Sequence, residues 1–139
     1  MNLYLDTSSL VKLYVEEEGS DAIRQLVEEA EWVATSVLSY TEARSAFARQ
    51  VREGRLTREG HKENREDLER DWSHLLALDL VEPIWREAAV LAETYALRAL
   101  DSLHLASYLF LMQENPHVPI RFSSFDERLN EAARLASVS

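Results

Sequence analysis

Asn2-Leu3-Tyr4-Leu5-Asp6-Thr7-Ser8-Ser9-Leu10-Val11-Lys12 begins as an apolar run, meets an acid and three hydroxyls, and then changes period. Leu3, Tyr4 and Leu5 follow one another without a polar gap, which suits a strand buried on both faces of a parallel sheet rather than one with a wet side. From Ser9 the apolar residues Leu10, Val11, Tyr14 and Val15 fall on one helical stripe. Asp6 is therefore expected at the carboxyl end of a strand, where open α/β sheets bind their ligands. An Asp, Thr or Ser just before a helix also caps free N–H groups, and Asp6 taken alone is explained that way. Only the recurrence of acids in the same kind of position separates the two readings.

The chain has 139 residues, enough for one domain with a sizeable core, and residues 1–139 are read as a single domain. Hydrophobic residues make up 46 %, and three Gly and three Pro leave little room for disorder. With no cysteine, a metal would be held by oxygen or imidazole. The start of the chain shows no basic stretch leading into an apolar one, and no apolar run has membrane-spanning length, so a soluble, cytoplasmic protein is expected. The formal net charge of −10 repels polyanions on average, so a nucleic-acid partner would need a local basic track.

Along the chain, Ser20-Asp21 is read as the cap of a second helix after Gly19, and Trp32–Ser36 as a second strand. Ser39-Tyr40-Thr41-Glu42 opens a helix to about Arg52; Thr57 caps a long polar helix whose apolar positions crowd into its second half. Leu78–Val81 reads as a weak third strand, with Pro83 in the first turn of the next helix. Another helical pattern starts near Leu100 and stops at Asn115-Pro116; Pro119–Ser123 is a fourth strand, and Asp126 begins the last helix. This alternation predicts a three-layer α/β/α domain with a short, mostly parallel sheet of four to five strands.

Glu42 and Asp126 each have a local explanation. Ser39-x-x-Glu42 and Ser124-x-x-Glu127 match capping boxes, and Asp101 is explicable as a first-turn acid. These readings do not account for Asp6, Glu42 and Asp126 each closely following a strand, with Asp101 placed on the same rim by inference. Carboxylates converging in a crevice repel one another unless divalent cations neutralise them. Oxygen ligands suit Mg²⁺ or Mn²⁺, and such sites hydrolyse phosphodiesters.

The segments around these acids carry a family resemblance. Leu5–Tyr14, Ser39–Ala43, Leu100–Ala106 and Ser123–Leu129 resemble, in order, the successive motifs of the PIN domain, closest to VapC-type toxins. The resemblance implies a Mg²⁺- or Mn²⁺-dependent endoribonuclease of a toxin-antitoxin pair, inhibited by a VapB-like antitoxin and dimeric. It places Asp6, Glu42 and Asp101 on the core metal-binding acids and Asp126 on the fourth, with Thr7 and Ser124 in support. Water would attack phosphorus, leaving 5′-phosphate and 3′-hydroxyl ends.

For RNA, the candidate track is Arg44, Arg49 and Arg52, continuing to Arg55 and Arg58; a solvated basic face explains it equally. His104, three residues after Asp101, is read first as a packed, hydrogen-bonded residue and second as a ligand. A serine hydrolase is disfavoured because Ser8 and Ser9 lack a Gly-x-Ser-x-Gly elbow. An aspartyl-phosphate enzyme would carry an acid where Ser8 stands. The rival from another class is a non-catalytic PIN-like module that binds RNA or protein.

Overall fold

The computed structural model describes residues 1–138. In chain order the elements are β1 (Asn2–Leu5), α1 (Thr7–Val11), α2 (Ser20–Glu29), β2 (Val33–Ser36), α3 (Leu38–Arg52), α4 (Arg58–Trp72), β3 (Leu76–Leu78), α5 (Glu82–Tyr95), α6 (Ala99–Glu114), β4 (Ile120–Ser123) and α7 (Glu127–Ser137). The four strands form one wholly parallel sheet in the order β3-β2-β1-β4. Among the described residues there is no fifth strand.

The unbroken Leu3-Tyr4-Leu5 run feeds both faces of the sheet. Leu3 and Leu5 pack with Leu10 and Val11 of α1, Ala43 and Phe47 of α3, and Leu68 of α4. Tyr4 points the other way, into a core built from Ile84 and Leu91 of α5, Leu105 of α6 and Leu129 of α7. This division follows from the two-residue period of a strand. Each fully buried Leu or Phe contributes roughly 1.5–3 kcal/mol, so neither helical layer is dispensable. Tyr4 stacks on Phe122 with ring centroids 5.7 Å apart, tying β1 to β4 through side chains as well as the ladder.

Several expected boundaries move. The third strand lies at Leu76–Leu78 instead of Leu78–Val81, because Ala34, Thr35 and Ser36 of β2 set its register. The first helix stops at Val11, with Lys12 to Val15 closing into turns. α2 is capped by no side chain: Gly19 occupies the cap position at φ 94°, and the Ser20 hydroxyl instead accepts from Glu17 N–H and donates to the Val15 carbonyl. That left-handed conformation favours glycine. Thr57 caps α4 as expected, through the Gly60 N–H, and Pro83 sits in the first turn of α5.

The strand order reverses direction between β1 and β4. From β1 the chain steps outward to β2 and β3, then returns to the far side of β1 with β4. The carboxyl ends of β1 and β4 thus frame the crevice that this topology offers a ligand.

Candidate functional site

Asp6 follows β1 directly and is only 3 % exposed. Its Oδ1 accepts from the Ser8 hydroxyl at 2.7 Å and the Ser9 N–H at 3.0 Å, so it does cap α1. The crevice is pinned across the strand switch by three further bonds. Asp6 N–H donates to the Ser123 carbonyl, the hydroxyls of Ser9 and Ser123 lie 2.9 Å apart, and Phe125 N–H donates to Ser8 Oγ. Burial pushes the Asp6 pKa up, against hydrogen bonds from Ser124, Ser8 and Ser9 that lower it. Among the described residues Asp6 has no Lys or Arg partner.

Glu42 does not form the capping box that its spacing from Ser39 offered. The cap position of α3 is Val37, two residues before Ser39, and Ser39 is buried beside β2, its hydroxyl 2.7 Å from Thr35 Oγ1. Thr35 in turn donates to the Leu5 carbonyl. Glu42 turns instead to α1 and α6: its Oε1 accepts from Thr7 Oγ1 at 2.5 Å and lies 3.0 Å from His104 Nε2. Burial raises the Glu42 pKa, but the bonds from His104 and Thr7 outweigh it and hold the carboxyl below its usual range.

His104 is itself buried, with Nδ1 3.0 Å from the Tyr4 hydroxyl. Burial raises the Tyr4 pKa far above its ordinary value, so the phenol keeps its proton. Assigning that proton to Nδ1 makes Nε2–H the donor toward Glu42 Oε1, and both ring nitrogens of His104 are then matched. The sequence pointed to His104 as a packed residue; its partner Tyr4, sitting mid-strand among leucines, carried no signal.

Asp101 and Asp126 meet through a third residue. Arg98, in the turn before α6, places Nε 3.1 Å from Asp101 Oδ2 and Nη2 3.6 Å from Asp126 Oδ2. Asp126 caps α7, its Oδ1 accepting from Arg128 N–H and Leu129 N–H. Ser124 does not cap the helix; its hydroxyl accepts from Asp126 N–H. A cavity of about 170 Å³ is lined by Arg98, Asp101, Asp126 and Arg128. Asp101 thus lines one cavity with Asp126. Arg98 stands one turn before Asp101, a spacing visible in the sequence.

The basic track on α3 is dispersed. Arg44 donates to Tyr40 Oη, which in turn bonds Glu69 of α4. Arg49, seven residues after Glu42, shares its helix face, whereas Arg52 is turned by nearly a quarter of the circumference. Arg55 lies 3.9 Å from Glu53.

Carboxylates from four separate elements, with no thiol, form a donor set suited to a hard divalent cation. They do not stand as one cluster: among the described residues no three His, Asp or Glu side chains stand together to hold an ion. Glu42 is engaged with Thr7 and His104, and Asp101 and Asp126 with Arg98. Among the described residues no helix is long and apolar enough to cross a membrane.

Comparison with known proteins adds to this geometry. The family model for the PIN domain matches residues 3–135. Two Mycobacterium tuberculosis proteins, ribonuclease VapC45 of strain CDC 1551/Oshkosh and ribonuclease VapC49 of strain H37Rv, are each 31 % identical over 134 residues, covering 96 % of this chain and 90 % of theirs. Among solved structures, VapBC2 from Rickettsia felis bound to a promoter DNA fragment superposes with a TM-score of 0.58 at 13 % identity, over 89 % of this chain and 100 % of that one, which is a likeness of fold.

Proposed function

This chain belongs to the PIN-domain family, and from that premise we propose that it is a divalent-metal-dependent endoribonuclease, the toxin of a toxin-antitoxin pair. The observation that carries the reading is Asp6: a buried carboxylate at a strand end, at the topological switch, with no Lys or Arg paired to it among the described residues. Burial without a counter-charge costs free energy that a bound cation offsets. The names of the mycobacterial relatives support RNA as the substrate.

Asp6, Glu42, Asp101 and Asp126 would hold Mg²⁺ or Mn²⁺. When bound, the cation supplies Lewis acidity at phosphorus and lowers the pKa of water. The protein's part is orientation. Ser8 and Ser9 fix Oδ1 of Asp6, and Thr7 and His104 fix Oε1 of Glu42. The start of α7 fixes Oδ1 of Asp126, with Ser124 bracing its backbone. One oxygen of each of these acids is thus anchored. Hydrolysis by water is expected to leave a 5′-phosphate and a 3′-hydroxyl. A VapB-like antitoxin as inhibitor and a homodimer as the working form complete the proposal, with the VapBC fold likeness as support for the first.

The test is cleavage of a mixed cellular RNA pool by antitoxin-free protein, with Mn²⁺ or EDTA, beside a variant carrying Asp6→Asn and Asp101→Asn. Discrete cuts with 5′-phosphate ends that need metal and vanish in the variant are expected. Cyclic 2′,3′-phosphate ends, or cutting that survives EDTA, would overturn the mechanism.

A further inference from the structure

Arg98 presents a guanidinium to two of the site's acids at once, yet its side chain is 81 % exposed. An ion pair this exposed contributes about 0–1 kcal/mol, too little to lock the acids against a divalent cation. Arg98 is therefore poorly explained as a structural strut. Across the same 170 Å³ cavity lies Arg128, whose other contact is a 3.4 Å hydrogen bond from Nη1 to the Ala96 carbonyl. The four cavity-lining side chains sum to zero charge. As it stands the cavity does not attract a phosphate. A divalent cation on Asp101 and Asp126 would bring the four-residue sum to +2 and would free the Arg98 fork, whose planar geometry matches a phosphate in two-point contact.

We propose that Arg98 is a displaceable counter-ion: in the metal-free site it bridges Asp101 and Asp126, and when a cation takes those acids it turns, with Arg128, to a backbone phosphate of the RNA. This rests on the ribonuclease reading and adds to it a phosphate subsite that opens only with metal. It also accounts for RNA binding by a chain of net charge −10, because the attractive field is assembled locally and on demand. By linkage, RNA tightens cation binding by the same factor as the cation tightens RNA binding.

The experiment compares wild type, Arg98→Ala and Arg98→Lys, each first checked for an unchanged circular-dichroism spectrum. Mn²⁺ affinity is measured by calorimetry on metal-free protein. Binding of a fluorescent single-stranded RNA that lacks the cleavage sequences mapped in the pool experiment is followed by anisotropy across a salt series, in Mn²⁺ or in EDTA, with gels confirming that the RNA stays intact. Arg98→Ala is expected to bind Mn²⁺ more tightly than wild type, because the competing cation is gone. In Mn²⁺ it should bind RNA more weakly, with the salt slope reduced by about 0.7, one phosphate contact on a single strand. In EDTA its RNA binding should equal wild type. Arg98→Lys should keep wild-type Mn²⁺ affinity and lose part of the RNA affinity. Unchanged or weaker Mn²⁺ binding by Arg98→Ala, or an RNA defect equal in Mn²⁺ and EDTA, overturns the proposal. If wild type with Mn²⁺ binds no RNA at all, the ribonuclease reading falls, and the subsite with it.

Discussion

His104 Nε2 lies 3.0 Å from Glu42 Oε1, joining residues 62 positions apart in the chain. Behind it Tyr4 holds the opposite ring nitrogen, so a residue in the central strand sets the orientation of an acid on α3 through a histidine on α6. Tyr4→Phe removes only the hydroxyl and should cost about 1 kcal/mol of stability. His104→Asn keeps a polar group toward Tyr4 but removes one of the two donors to Glu42, leaving Thr7, whereas His104→Gln reaches Glu42. RNA cleavage kinetics should show kcat reduced more in His104→Asn than in His104→Gln; equal loss in both would make the histidine a packing residue only.

Asp6 has its pKa raised by burial. Its contribution to folding is therefore fully present below its ordinary value of 3.8 and is lost as pH rises through the higher folded value. In EDTA at neutral pH, Asp6→Asn should melt above wild type, and the gap should close as pH falls toward 4, in thermal unfolding monitored by circular dichroism. Mn²⁺ should raise the wild-type Tm and leave the variant's almost unmoved. A variant that melts below wild type at pH 7 in EDTA would show that the charged form is already compensated within the protein.

Glu42 runs in the opposite sense. Its pKa is lowered, so its contribution is present above its ordinary value of 4.5 and disappears as pH falls through the lower folded value. Glu42→Gln should be less stable than wild type at pH 7, with the deficit vanishing under acid. The same melting series reads both residues, and a deficit that persists at acid pH would assign it to lost packing.

Gly19 combines a φ of 94° with a neighbour that leaves no room: a Cβ built there would lie 2.7 Å from the Phe125 ring. Gly19→Ala should cost about 1–3 kcal/mol through backbone strain and should displace Phe125, whose N–H bonds the same Ser8 hydroxyl that holds Asp6. Denaturant midpoints test the stability, and Mn²⁺ affinity tests whether the disturbance reaches the acid. An alanine variant as stable as wild type would mean that the loop shifts freely.

The alternation of strands and helices, the doubly buried first strand and the acids Asp6, Glu42 and Asp126 following strands were legible in the chain, because hydrophobic period and cap chemistry act over a few residues; the place of Asp101 was inferred. A mostly parallel sheet followed from the same signals; that it is wholly parallel, its order β3-β2-β1-β4, and so the switch point between β1 and β4, did not. Local patterns could not choose between partners either. Ser39-x-x-Glu42 has the spacing of a capping box, but Thr7 and His104 bring Glu42 two donors from other elements, and the box is not made. Ser124-x-x-Glu127 is likewise set aside, since Asp126 reaches the free N–H groups of α7 first. Tyr4 behind His104, and Arg98 between Asp101 and Asp126, arise only when β1, α6 and α7 pack together. Which residues are acids, and the local caps that hold Asp6 and Asp126, are properties of the chain; what holds Glu42, and what bridges Asp101 to Asp126, is decided by hydrogen-bond competition among groups that only the packed fold brings together.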